Sequence, residues 1–423
     1  TVYGWVDMNG KTISGTGSSF ALYGLSGKSL IVNSTAGSAV LTNVNTASLA
    51  IGMQVTGTGI PANATIIYID PLVYKTVTLN VPATATGTNS LTFGFRGGLM
   101  VSFPLGIDAH IQVAGTKTYK PGASYIFKTP TSGTIISPAF PTSGILNYSP
   151  AWDVTIVSGT GSRVIMGTHQ DLTISHNLTL TTGVYVSNKN LLTWDNANGG
   201  VLTAPNIPFS FNIDSSVVKQ SFIALCDETG SPIGDTSGNK GFRINNVGST
   251  EVYFPIGHHF NNTPNRMSLQ NFGTVDNFTV TLAKGDIGNT PYPVVRRIWH
   301  VKESVAGGSA VTMKLFFIKQ DNTKYGVSQD EVESAFDYSD IHLVHKLGNL
   351  FQNNANGADV KNYISGYNYG TELYGIYTKG ISSDNDHLSN GITSFSPFSI
   401  ANTHNIILPA TIINLKAYQV GTA

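Results

Sequence analysis

Charge is scarce in this chain. Asp, Glu, Lys and Arg make up 11% of the residues, against about a quarter in an average soluble domain. The 24 basic residues balance the 24 acidic ones, for a formal net charge of zero. No basic field exists to draw in nucleic acid or anionic lipid, so neither is expected as a partner. Cysteine occurs once, as Cys226 in "FIALCDETG", which excludes an intrachain disulfide. Its neighbours Phe222, Ile223 and Leu225 make it a small core residue, with no basic group or helix start nearby to activate a thiol. Long apolar runs are missing too. None approaches the ~20 residues that cross a bilayer, so membrane insertion is not expected. The opening "TVYGWVDMNG" lacks the basic region and apolar core of a signal peptide. Helical periodicity is confined to "SQDEVESAF", where Ser328 and Glu331 form a capping box for about two turns. Nucleophile-elbow, phosphate-loop and His-Glu-x-x-His motifs do not occur. No catalytic residue and no cofactor is therefore expected.

What is present is turn and strand chemistry. The 423 residues include 45 Gly, with 41% hydrophobic residues, a profile of many short strands joined by turns in a chain long enough for two or three domains. In "HQDLTISHNLTLTTGVYVSNKNLLTW" the strand-like units "DLTI", "NLTL", "VYV" and "LLTW" recur every six or seven residues with polar corners between them. That spacing fits a β-solenoid, in which each rung buries its apolar face against its neighbours; a meander of short hairpins is the alternative. Weaker strand runs, Lys11 to Ile13 and Ser29 to Val32, extend the reading to the start of the chain. A solenoid-like repeat region is thus expected over residues 1–34 and 96–208.

Residues 35–95 read as an inserted β module. "TIIYI" and "TVTLNV" alternate, and Gly-Thr-Gly and Pro-Ala-Asn supply turns. From residue 209 to 423 the strands lengthen. Val311, Met313, Leu315 and Phe317 share one face of "VTMKLFFI", and Asn277 to Leu282 alternates likewise, which predicts a β-sandwich. The apolar "IILPATIINLKAYQ" near the end reads as its last strand, with Ile413, Leu415 and Ala417 on one face. The fold class expected is all-β throughout.

Candidate sites are few. Tyr363, Tyr367, Tyr369, Tyr374 and Tyr377, interleaved with Gly, offer a contact surface for a glycan or protein ligand. Asp384 and Asp386 in "SSDNDHLSNG" are the densest oxygen ligands and a weak calcium candidate, lacking the sixth-position Gly of the helical calcium loop. His258 and His259 are adjacent, and His342 and His345 are three apart. On strands both pairs point to opposite faces, so no metal site is expected from them. Asp171, Lys189 and Asp195 are scattered through the repeat region rather than clustered as polysaccharide-cleaving chemistry requires.

The ordered set "RINNVGSTEVYFPIG", "MSLQNFGTVDNFTVTL", "VVRRIWHVKESVAGGSAVTMKLFF", "GITSFSPFSI" and "ILPATIINLKAYQ" resembles the module near the ends of large secreted surface proteins of Bacteroidota. The resemblance runs from about residue 241 to 419. It departs from the usual segments at Ala410, Asn414 and His300. "SLAIGMQVTGTGIPANATIIYID" is similar to a "GMxVxGTGIP" module of bacterial surface and phage structural proteins. These resemblances imply a non-enzymatic extracellular or cell-surface protein, a stalk, adhesin or filament subunit. They further imply the type IX secretion machinery as export partner, and a sorting domain removed after the last strand. Self-association and surface or glycan partners follow as expectations. The alternatives are a glycan-binding surface protein and a β-helical polysaccharide-degrading enzyme.

Overall fold

The computed structural model describes residues 5–70, 75–102, 104–129, 133–157, 162–167, 170–182, 184–187, 190–204, 222–225, 238–258, 263–284, 295–318, 342–347, 350–353, 367–369, 372–379, 392, 395 and 397–401. The chain is all-β. Among the described residues the one α-helix is Gly106–His110, and two 3-10 turns, Thr46–Ser48 and Asn196–Asn198, complete the helical content.

Short strands stack in parallel. One six-stranded sheet runs through Trp5–Asp7, Gly98–Val101, Ser124–Lys128, Val154–Val157, Leu178–Thr182 and Leu202–Thr203, every pairing parallel. A second parallel ladder links Ile135–Ile136, Arg163–Ile165, Val184–Val186, Phe222–Ala224 and Ile256–His258. A third links Leu172–Ile174, Leu191–Trp194 and Gly241–Val247. The chain visits the three ladders in rotation and so coils, three strands to a turn. Alternation selects the interior: in Ser124–Lys128, Tyr125 and Phe127 are buried while Lys128 is exposed. The registers Leu99↔Tyr125, Tyr125↔Val154 and Leu178↔Leu202 align buried residues on successive turns.

The six-to-seven-residue spacing in the sequence therefore measures the step from one side of the coil to the next. Leu172–Ile174 pairs with Leu191–Trp194, not with the neighbouring Leu178–Thr182. Polar corners join turn to turn. Asp153 Oδ1 accepts from the Asn177 N–H at 3.0 Å, and Asn177 Oδ1 accepts from the Val201 N–H at 2.9 Å. Ser149 Oγ and Asp171 Oδ1 do the same for the N–H groups of Thr173 and Leu191, at 3.0 and 2.8 Å. Each side chain satisfies a backbone donor that the short strands leave over.

The parallel stacking continues past residue 208, where the sequence texture changes. Phe222–Ala224, Gly241–Val247 and Ile256–His258 all extend parallel ladders. Longer connections between these strands dissolve the short spacing while the pairing persists. Gly241–Val247 then serves two sheets' worth of partners. Its one edge pairs parallel with Leu191–Trp194 and its other pairs antiparallel with Asp276–Lys284. From there the sheet runs through Arg297–Glu303, Pro397–Ala401, His342–Leu347 and Leu350–Asn353, eight strands in all. A five-stranded antiparallel sheet holds Val252–Phe254, Met267–Asn271, Val311–Ile318, Glu372–Lys379 and Tyr367–Tyr369. The expected faces hold: Val311, Met313 and Leu315 are buried, as are Phe278, Val280 and Leu282. Phe242 and Phe254, one from each sheet, meet edge-on at 5.9 Å. One core cluster spans coil and antiparallel sheets, from Met8 to Ile400.

The inserted module has its own core, with Val32, Leu41, Val55, Ile66, Val77, Leu79, Leu91 and Phe93. Its outer strands, Leu25–Ser34 and Gly87–Arg96, pair antiparallel from Leu25↔Arg96 to Ser34↔Gly87. The module thus begins at Leu25, and Ser29 to Val32 belongs to it rather than to the coil. The partner of that strand lies some sixty residues downstream by this same register, beyond the reach of local periodicity. Lys11 to Ile13 shifts to Ile13–Gly15, which pairs with Ile111–Val113 in the coil. The "SQDEVESAF" segment, Cys226 and "IILPATIINLKAYQ" lie outside the described residues.

Candidate functional site

The densest arrangement of chemistry-bearing side chains sits where the module returns to the coil. Arg96 ends the last module strand, and its Nε donates to Gln54 Oε1 of the module strand Gln54–Thr56. Its Nη1 reaches across to the Gly122 carbonyl of the coil at 3.3 Å. The guanidinium lies 3.5 Å from the centroid of the Trp152 ring. Trp152 stacks in turn on His176, centroids 4.5 Å apart and planes 14° from parallel. His176 Nδ1 is 2.8 Å from Asp153 Oδ1, so that nitrogen carries the proton and the carboxylate accepts it. Trp194 Nε1 donates to the His176 carbonyl at 2.8 Å, which fixes the backbone beneath the ring.

Electrostatics fits a clamp. Burial lowers the Arg96 pKa to about 10, partly offset by the Asp153 charge, so the guanidinium stays charged at neutral pH. A cation against an indole face is worth about 0.5–2 kcal/mol according to its desolvation. An imidazole oriented by a carboxylate is also the geometry of a general base. Here, among the described residues, no serine, threonine or cysteine side chain hydrogen-bonds to the ring, whose one such partner is Asp153. The column joins module to coil.

A second polar cluster lies on the five-stranded sheet. Glu251 Oε1 accepts from Lys314 Nζ at 2.8 Å and Ser268 Oγ at 2.6 Å, and Oε2 accepts from the Tyr253 hydroxyl at 2.9 Å. Register Tyr253↔Ser268↔Lys314 places the three donors in one row across the sheet. Burial alone would raise the Glu251 carboxyl, but the hydrogen bonds from Lys314, Ser268 and Tyr253 and the Lys314 charge hold it below the usual carboxylate range. Ser268 is buried beneath these partners.

The coil interior contains tyrosines that sequence reasoning did not single out. Tyr119, Tyr125 and Tyr185 are buried, and their hydroxyls have no hydrogen-bond partner among the described residues. Burial drives all three phenols far up, with smaller contributions from nearby acidic or phenolic groups. Tyr148 is pushed up to about 12 by burial, despite a hydrogen bond with Gln170. Their signal was present in the alternation of "SYIFK", though "tyrosine" there reads only as strand.

Four of the sequence-predicted tyrosines lie on two paired strands, Tyr367–Tyr369 and Glu372–Lys379. Tyr367 pairs with Tyr374, and Tyr369 with Glu372. Tyr377 pairs with Leu315. Tyr363, Asp384, Asp386, Lys189 and His259 lie outside the described residues. His342 and His345 lie in one strand, paired with Ala401 and Phe398. His258 ends the strand Ile256–His258. Asp171 and Asp195 serve the coil locally: Asp171 caps Leu191, and Asp195 Oδ1 accepts from the Ala197 N–H at 3.0 Å. Among the described residues no three His, Cys, Asp or Glu side chains group to hold a metal ion. The Arg96 column escaped sequence analysis because its members lie on four separate segments. Comparison with protein-family models, with curated proteins and with solved structures finds no match for this chain.

Proposed function

We propose that this chain is a non-enzymatic extracellular structural or adhesive protein, a stalk-like surface component delivered by the type IX route. One observation carries the reading: the eight-stranded sheet passes from parallel coil to antiparallel strands without interruption, over a single core. Such continuity transmits force along hydrogen-bonded ladders from one region to the other. The module, with its separate core and two-strand root, is a lateral projection from that stalk. Export through the type IX machinery rests on the C-terminal sequence resemblance, and self-association on the first turn, whose strands Trp5–Asp7, Ile13–Gly15 and Phe20–Leu22 each pair on one edge among the described residues.

Expression of the full gene in a type IX-competent bacterium and in a secretion-deficient strain tests the reading. Surface exposure in the first and periplasmic retention in the second are expected, with intact mass locating the processing sites. Surface display in both strains removes the export route. Size-exclusion chromatography and negative-stain microscopy at high concentration test assembly, and monomers alone would sink the filament form.

A further inference from the structure

The outward face of the first parallel sheet carries an exposed aromatic ring beside a polar cleft. Trp5 and Asp7 sit two residues apart on the first strand, both exposed; Trp5 retains 55% of its surface. The register sets Trp5 opposite Gly98, and a Cβ added at Gly98 would lie 2.5 Å from the indole ring atoms. The ring therefore lies on the sheet over the glycine, with more than half of the Trp5 surface exposed. Two residues along, Asp7 pairs with Met100, and Met100 with Ile126, two residues before Lys128. Asp7, Asn9, Met100, Ser102 and Lys128 line a cleft of about 470 Å³, within the usual range for small-ligand sites, about 300–1,000 Å³.

The cleft's polar groups are held in place. Asp7 Oδ1 accepts from the Asn9 N–H at 2.9 Å, which leaves Oδ2 as a further acceptor. Ser102 Oγ accepts from the Gly10 N–H at 3.0 Å, which leaves its own proton to donate. Lys128 is exposed at the end of its strand. We infer that this surface binds a glycan, one sugar ring stacking on Trp5 and the next ones hydrogen-bonding along Asp7, Asn9, Ser102 and Lys128.

The chemistry selects the ligand. A sugar's apolar face presents C–H groups with partial positive charge to the negative face of an indole, while its hydroxyls ask for mixed donors and acceptors. The cleft supplies both. A nucleic-acid strand stacks on aromatics too, but along a groove of one positive sign, whereas here a carboxylate and an ammonium stand together. Two residues of strand advance about 7 Å, so platform and cleft are spaced for a short oligosaccharide rather than a single sugar. The inference rests on the adhesive form of the proposed function for its setting and gives it a ligand class. Loss of glycan binding leaves export and surface display untouched, so the two fail separately.

The test uses the purified full chain on a glycan array, followed by calorimetric titration with cellotriose, mannotriose and N-acetylchitotriose, together with the strongest array hit. Binding to a neutral oligosaccharide is expected, accompanied by a change in tryptophan fluorescence. Trp5→Ala should weaken it at least about tenfold and Trp5→Tyr should restore most of it. Lys128→Met should weaken it severalfold with the platform intact. Unchanged urea midpoints certify the folds; if Trp5→Ala shifts its midpoint, the Lys128→Met titration decides. Absence of binding to every glycan, binding that survives Trp5→Ala, or binding confined to polyanions and lost in salt overturns the proposal.

Discussion

Trp152 lies flat against His176, 4.5 Å between centroids, while Arg96 covers its opposite face at 3.5 Å. The indole is thus the contact through which a module residue meets a coil dyad. Arg96→Ala removes the cation–π contact and the bonds to Gln54 and Gly122 together, an expected loss of about 1–3 kcal/mol at the junction. Hydrogen exchange should accelerate around residues 54–56 and 121–124 and stay unchanged among the core residues near Leu178. Equal protection in wild type and variant would show that the column does not hold the module.

The backbone beneath the same column tolerates little. A Cβ at Gly200 would lie 2.0 Å from the His176 carbonyl oxygen. Gly200→Ala therefore forces the corner apart and should cost about 1–3 kcal/mol by overpacking, read as a lower urea midpoint.

Glu251 makes stability depend on acid. Its folded pKa is depressed, so its contribution is complete above the ordinary carboxylate value, about 4.3, and is lost as pH falls through the lower folded value. Partly exposed, the network is worth about 1 kcal/mol at neutral pH. Glu251→Gln should destabilise by that amount at pH 7 and approach wild type near pH 2–3. A constant difference across the range would show that the carboxylate charge is not what its three donors hold.

At the other end of the scale, the interior phenols act in the opposite sense. Tyr119, Tyr125 and Tyr185 hold their protons far above the ordinary value of about 10. Above that pH the unfolded chain releases protons that the folded one keeps, so stability falls as pH rises. Absorbance titration should show part of the phenol signal appearing only with unfolding. A single transition near the ordinary value, with the fold retained, would contradict the burial.

Tyr125→Phe separates hydroxyl from ring. Its hydroxyl is buried without a partner among the described residues, so removal should be neutral or stabilising by up to about 1–2 kcal/mol. Phe140→Ala, by contrast, empties the space between Tyr125, Phe127 and Tyr148, all within 5.0–5.1 Å of its ring, at about 3–5 kcal/mol. Chemical denaturation of both variants gives the comparison.

These residues show what the sequence could and could not carry. Alternation in "VTMKLFFI" placed Val311, Met313 and Leu315 in the core because strand period is local. The spacing of "DLTI", "NLTL", "VYV" and "LLTW" revealed stacked short strands, but not that Leu172 faces Leu192; which strand pairs with which is a matter of turn length. The module's first strand was misplaced for the same reason, its partner being remote. Asp153, His176 and Arg96 carry no motif at all: the coil's corners bring them together, and nothing in their local sequence distinguishes them from turn residues.

The antiparallel root of the module enters at Leu25 and leaves at Arg96, directly opposite each other. The strands on either side, Phe20–Leu22 and Gly98–Val101, belong to successive turns of the coil. Chain ends that emerge side by side make the module exchangeable: a different domain with adjacent termini, spliced between those positions, would leave every parallel ladder in register, so coil and module can diverge at separate rates.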